Sequence, residues 1–213
     1  PPYARGLVKG LREDDRVGVR ALYEACLREQ ARVAREKKRM GAIMQFEAEA
    51  AANGFMCVAG VDEAGRGPLA GPIVAGAVVL RGAPPEGVND SKQLSEAQRE
   101  ALYQTIHTEA HAVGVGIVDS TTIDQYGIQC ANYSAMLQAV LQLNPEPDFL
   151  LVDGFLIKGC ALPQQMIIKG DSRSASIAAA SIVAKVVRDR MMYELDRQFP
   201  GYGFAEHKGY ATR

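Results

Sequence analysis

Five short apolar runs from residue 55 onward limit the fold more than any other feature of the sequence. They read FMCVAGVD (55–62), PIVAGAVVL (72–80), AVGVGIV (112–118), DFLLVD (148–153) and QMIIK (165–169). All are short, and most are rich in β-branched residues and bounded by turn formers, which is the pattern of buried strands. A helix is expected from Ser95 to His111, with Ser95 as N-cap and Gln98 at the capping-box position. A second is expected over 128–143, stopped before Pro145, and a long third should start near Ser172 or Ser174 and end at Pro200 and Gly201. The alanine-rich first half of that third helix permits close approach to a sheet, and its charged second half suits water. Three early strands followed by alternating helices and strands predict an α/β sandwich with a mixed sheet.

Upstream, residues 17–53 read as helix, with Leu22, Cys26, Ile43 and Phe46 on partial apolar faces and Gly41 as the expected break. Asn53 and Gly54 mark the start of a new unit. The expected division is a helical basic extension at 1–55 and a main domain at 56–213. Residues 1–40 carry 11 Lys or Arg against 6 Asp or Glu (+5), and the remainder 13 against 19 (−6), which hides inside a net charge of −1. A basic arm on an acidic body is an awkward pattern for a nucleic-acid binder unless the acidic excess is partly neutralised by bound cations. The run REKKRM (35–40) reads as a solvated helix face. No apolar run reaches the length of a membrane helix, and the N-terminus, with Arg5, Lys9 and Arg12, has no signal-peptide core. A cytoplasmic monomer is expected. Cys26, Cys57, Cys130 and Cys160 are scattered without a CxxC pair, so neither a disulfide framework nor a zinc site is indicated.

Against this frame the acids stand out. Asp62 and Glu63 close the first strand, Asp153 closes the fourth, and Asp171 lies between the fifth strand and the long helix. Strand ends are where open α/β sheets bind ligands. Singly, Asp171 reads as a helix cap and Asp153 as the start of a turn with Gly154. Together, four carboxylates without histidine or cysteine suit a hard cation such as Mg²⁺ or Mn²⁺. A pair of such ions about 3.5 to 4 Å apart activates water and stabilises the leaving oxygen of a phosphodiester. Neighbouring strand residues point to opposite faces, so Asp62 and Glu63 are expected to share a site only if the strand bends or ends at Glu63. His107 and His111 lack a third ligand, and no GxSxG elbow is present. GRGPLAG (65–71) is neither a P-loop nor a dinucleotide fingerprint; its small residues allow close backbone approach, and Arg66 adds a planar donor fork. At that range the ribose 2′-hydroxyl is the feature that separates RNA from DNA.

AGVDEAGRGPLAGPIVAGAVVL, NDSKQLS, LLVDG, IIKGDSRSASIAAASIVAKVVRDRMM and HKGYAT, in that order over about 56–212, resemble the successive motifs of bacterial ribonuclease HII. The resemblance implies an RNase H-like fold with a five-stranded mixed sheet, and Asp62, Glu63, Asp153 and Asp171 as metal-binding catalytic carboxylates. It implies that Gly65, Arg66 and Gly67 read the 2′-hydroxyl and that Tyr210 stacks on the following deoxyribose. Lys92, Lys169, Ser172 and Ser174 match polar positions of the motifs and are expected to touch phosphates. The implied activity is two-metal hydrolysis with Mg²⁺ or Mn²⁺, incising duplex DNA 5′ to embedded ribonucleotides and cutting the RNA strand of RNA/DNA hybrids, to leave 3′-hydroxyl and 5′-phosphate ends. The rival readings are a ribonuclease HIII-like hybrid nuclease and a nucleic-acid-binding form without catalysis. The family continues past the GYAT motif through a helical tail, so a shortened chain with weakened duplex affinity is expected.

Overall fold

The computed structural model describes residues 11–12 and 16–211, so Arg5, Lys9 and the final two residues of the EHKGYATR run lie outside the described residues. The chain packs as two compact units, Pro1–Ala42 and Ile43–Arg213. In the first, α1 (Val17–Ile43) carries ion pairs one turn apart, Arg28–Glu24, Arg32–Glu29 and Arg39–Glu36. Such pairs are each worth about 0.2–0.5 kcal/mol. The expected break at Gly41 does not occur, since one glycine costs a helix only about 1 kcal/mol. The turn falls instead at Met44, ahead of α2 (Gln45–Ala52), which buries Glu47 and Ala50. No helix among the described residues is long and apolar enough to cross a membrane.

The second unit is built on five strands: β1 (Val58–Ala64), β2 (Ile73–Val79), β3 (Ala112–Val118), β4 (Phe149–Asp153) and β5 (Gln164–Ile167). Their order is β3-β2-β1-β4-β5. The pairs β1–β2 and β2–β3 are antiparallel, the second joined through the helix Glu96–Glu109, while β1–β4 and β4–β5 are parallel, giving the mixed sheet expected. The helices are α3 (Glu96–Glu109), α4 (Ser120–Tyr126), α5 (Ile128–Leu141), α6 (Ala175–Gln198) and α7 (Phe204–His207). Ser95 and Gln98 form the reciprocal capping box of α3. The short helix α4 escaped the sequence reading although Asp119, whose carboxylate accepts from the Thr122 amide at 2.7 Å, is a recognisable N-cap.

Alternation along β1 and β2 sorts their residues between two cores. Ala59, Val61, Ala75 and Ala77 pack towards α5 together with Leu150 and Val152. On the other face Val78 packs with Ile106 of α3 and Ala178, Ala179, Ile182 and Val183 of α6. That second core is thin: a Cβ on Gly60 would lie 2.1 Å from the Ser176 carbonyl carbon, and one on Gly76 2.4 Å from the Ala180 carbonyl oxygen. Helix α6 therefore rests on bare strand backbone, which is why its first half is alanine.

Ser174 caps α6, accepting from the Ile177 amide. The same hydroxyl donates to Glu47 Oε1 at 2.6 Å, and Ser176 adds its amide at 2.9 Å and its hydroxyl at 2.7 Å to that oxygen. Glu47 thus ties α2 to the start of α6, three residues beyond Asp171. Removing the carboxylate strands these buried donors, so Glu47→Ala is expected to lower unfolding free energy by about 2–3 kcal/mol. An unaltered urea midpoint would contradict this.

Candidate active site at the carboxyl ends of β1 and β4

The parallel pairing of β1 with β4 stops at Val61–Val152, whereas its antiparallel pairing with β2 continues through Asp62–Gly76 and Glu63–Ala75 to Ala64–Val74. The strand neither bends away nor ends at Glu63, contrary to expectation. Asp62 points to the α6 side and Glu63 to the α5 side, yet both line one cleft of about 220 Å³. They meet because β1 projects beyond its parallel neighbour, so the cleft wraps around the sheet's end. Asp153, the last residue of β4, lines the same cleft. Asp171 sits behind it, buried in the 3₁₀ turn Gly170–Ser172 that follows β5. The Gly170 amide donates to Asp153 Oδ1 at 2.6 Å, and the Lys92 ammonium, at the cleft wall, donates to Asp171 Oδ2 at 3.0 Å. Strand β5 is shorter than expected because Lys169 turns left-handed, at φ 56°, to enter that turn.

The three lining acids repel one another in a dry place. Burial first, then the charges of Glu63 and Asp153, hold the Asp62 carboxyl well above the ordinary carboxylate range; the Ser181 hydroxyl and the Glu63 amide pull the other way. Burial pushes Glu63 up to about 7, against the pull of Arg66 and with Asp153 adding to the rise. Burial also raises Asp153, opposed by the Gly170 amide and aided by Asp171. Glu63 Oε2 is buried without a hydrogen-bond partner. An all-oxygen donor set with uncompensated negative charge and an orphaned carboxylate oxygen fits a hard divalent cation. The oxygens are gathered but not converged: among the described residues no three acids, histidines or cysteines are arranged to hold one ion. Asp171 is turned to Lys92 in this arrangement.

A folded-state value raised above the ordinary 4.5 means that Glu63 contributes stability present in full below about pH 4.5 and lost as pH rises through about 7. Metal-free Glu63→Gln should therefore gain melting temperature over the wild type as pH is raised from about 5 to 8, and millimolar Mg²⁺ or Mn²⁺ should stabilise the wild type more at the upper end, where no proton must be displaced. A difference between the two proteins that stays constant with pH would contradict it.

The loop after β1 brings the other expected residues to the cleft. Gly65, Arg66 and Gly67 line it, as does the half-exposed Tyr210. A Cβ on Gly67 would lie 3.7 Å from Tyr210 Cε1, so the glycine and the ring face each other. Arg66 lies over the Phe155 ring at 4.9 Å, donates to Gln129 at 3.3 Å and stands 3.7 Å from Glu63. Lys169 and Ser172 are exposed beside Asp171, with the Ser172 hydroxyl donating to the Lys169 carbonyl at 2.9 Å. Ser174 is fully buried, and its hydroxyl is engaged by Glu47 and the Ile177 amide, away from any phosphate. His207 orders its own turn: Nδ1 accepts from the Gly209 amide at 3.0 Å and Nε2 faces the Tyr202 carbonyl at 2.7 Å. Sequence reasoning passed over Ser181, Lys185 and Arg188, which α6 also sends to the cleft, and Gln129 and Phe155, which hold Arg66. The signal for the first group was helical spacing, although Lys185 and Arg188 also read as part of the charged half of α6; Gln129 and Phe155 left none.

The family model for ribonuclease HII matches residues 59–213, and that for the ribonuclease HII N-terminal domain matches 4–51. The ribonuclease HII of Geobacillus thermodenitrificans is 52% identical over 203 residues, covering 95% of this chain and 78% of the relative. That of Geobacter metallireducens is 60% identical over 166 residues, covering 78% of each. Among solved structures, the ribonuclease H2 from Pyrococcus horikoshii aligns with a TM-score of 0.63 at 32% identity, over 74% of this chain and 82% of that one. The sheet and its flanking helices are accordingly an RNase H-like fold.

Proposed function

Since the chain belongs to the ribonuclease HII family and is a ribonuclease H enzyme, we propose that it incises duplex DNA 5′ to embedded ribonucleotides and cuts the RNA strand of RNA/DNA hybrids, leaving 3′-hydroxyl and 5′-phosphate ends. The observation that carries the reading is the meeting of Asp62, Glu63 and Asp153 with Arg66, Gly67 and Tyr210 in one cleft. Asp62, Glu63, Asp153 and Asp171 would hold Mg²⁺ or Mn²⁺, which when bound as a pair supplies charge neutralisation and an activated water for in-line attack. A water oxygen joins phosphorus as the 3′-oxygen leaves and takes up a proton.

In this reading the chain's own groups do the selecting. Arg66, braced by Phe155 and Gln129, presents its fork to the 2′-oxygen, and Gly65 and Gly67 leave the backbone bare enough for the sugar to approach. A deoxyribose at that place leaves the donors unmatched, which rejects it far more strongly than a lost methylene would. Tyr210 offers its ring to the following deoxyribose, an aromatic platform of the kind single nucleotides stack on. Lys92 moves from Asp171 to a phosphate as the acids take cations, and Lys169 and Ser172 lie on the same approach; Ser174 serves through its cap. Residues 1–55 act as a basic helical extension that docks DNA phosphates, so its removal should flatten the salt dependence of duplex binding.

The test is a nicking assay on a duplex with one ribonucleotide, with Mg²⁺ and Mn²⁺ compared. Incision 5′ to the ribonucleotide is expected, and Arg66→Ala should slow it by about a hundredfold with a smaller change in binding. An intact single-ribonucleotide duplex alongside a degraded hybrid would instead favour the ribonuclease HIII-like activity, and cleavage of neither would leave only binding.

A further inference from the structure

Arg188 is 1% exposed, the largest of the fully buried side chains. Its guanidinium donates from Nε to the Pro72 carbonyl at 2.9 Å, from Nη2 to the Ala70 carbonyl at 3.0 Å and from Nη1 to the Lys208 carbonyl at 2.9 Å. Two of these carbonyls belong to the loop that carries Arg66 and Gly67, and the third lies two residues before Tyr210. The same two segments are joined directly by the Leu69 amide donating to the Gly209 carbonyl at 2.9 Å. The fit is tight: a Cβ on Gly65 would lie 2.5 Å from Arg188 Nε, and one on Gly209 2.2 Å from the Ala70 oxygen.

The geometry points to Arg188 as the positioning residue that sets the spacing between the ribose-reading loop and Tyr210, and through that spacing the selectivity for a ribonucleotide followed by a deoxyribonucleotide. This rests on the functional reading above. A buried cation surrounded by carbonyl dipoles is a costly way to tie two loops. The charge of its neighbour Asp189 offsets this only in part, that carboxylate being held by Lys185 at 2.6 Å, and burial still pushes the Arg188 guanidinium below its ordinary value. What the arrangement supplies is a rigid planar fork that sets both distance and angle, which neither a lysine nor an apolar side chain reproduces. A ribonucleotide in DNA needs both contacts at once across one phosphate. In an RNA/DNA hybrid the following sugar is a ribose, so the Tyr210 contact and its spacing matter less.

The experiment compares kcat and KM of the wild type and Arg188→Lys on a single-ribonucleotide duplex and on an RNA/DNA hybrid, with circular dichroism and melting as checks of folding. Arg188→Lys is expected to lose about tenfold more activity on the single-ribonucleotide duplex than on the hybrid, since displacements near 1 Å are that costly to a positioned substrate. Tyr210→Ala should narrow the wild type's preference and add little in the Arg188→Lys background. A folded Arg188→Lys that weakens both substrates equally, or fully additive losses in the double variant, would overturn the inference. Should Arg188→Lys fail to fold, Gly209→Ala takes its place: it displaces the Ala70 carbonyl, one acceptor of the guanidinium, while keeping the arginine itself, and should show the same selective loss, an equal loss again counting against the inference. A wild type that cuts neither substrate sinks the functional reading and this inference with it; a wild type that cuts both beside a variant with unchanged preference sinks the inference alone.

Discussion

Asp62→Asn is expected to reduce turnover by about a thousandfold or more while leaving the fold intact and the metal-free protein more resistant to heat. The two halves of this result have one cause. Asp62 is 5% exposed and held against Glu63 and Asp153, so in the absence of a cation its charge is a burden that burial and repulsion both oppose. An amide of the same shape removes that burden and can still accept from the Glu63 amide, which donates to Asp62 Oδ1 at 2.8 Å. What it cannot do is add charge to a cation site. A melting curve, a divalent-ion thermal shift and a nicking assay on one preparation separate these effects. Loss of both fold and activity would make Asp62 a structural acid, and retention of activity would remove it from the chemistry.

Gly60→Val should be among the most damaging changes to the fold, costing about 4 kcal/mol or more. The glycine sits two residues before Asp62 on the face that meets α6, where an added Cβ falls 2.1 Å from the Ser176 carbonyl carbon and 2.3 Å from the Ile177 amide nitrogen. Those atoms are helix backbone, which no rotamer change can move aside. The helix start must retreat, and with it the Ser174 cap, its tie to Glu47 and the seat of Ser181 beside Asp62. Denaturant unfolding tests this; a midpoint within experimental scatter of the wild type would contradict the close contact of β1 and α6.

The sheet was legible because each strand is an apolar, largely β-branched run with its own turn signals, and the acids were legible because they interrupt such runs. Pairing was not. That β1 continues past Asp62 and Glu63 depends on β2 running alongside to Val74 while β4 stops at Val152, a relation between distant segments that leaves no mark in either one. Lys169 gave no warning of its left-handed turn, since lysine has no preference for that conformation. Glu47 left no signal in its own segment, because its partners Ser174 and Ser176 lie more than a hundred residues away. Arg188 likewise looked like part of the charged end of α6, and only the fold shows it facing inward.

The most direct test of the carboxylate cleft as a cation site is anomalous diffraction from crystals of the chain soaked in Mn²⁺. The expected result is manganese density bounded by Asp62, Glu63, Asp153 and Asp171, with the Lys92 ammonium withdrawn from Asp171. Manganese bound elsewhere on the molecule with none between these acids, and Lys92 still on Asp171, would contradict it.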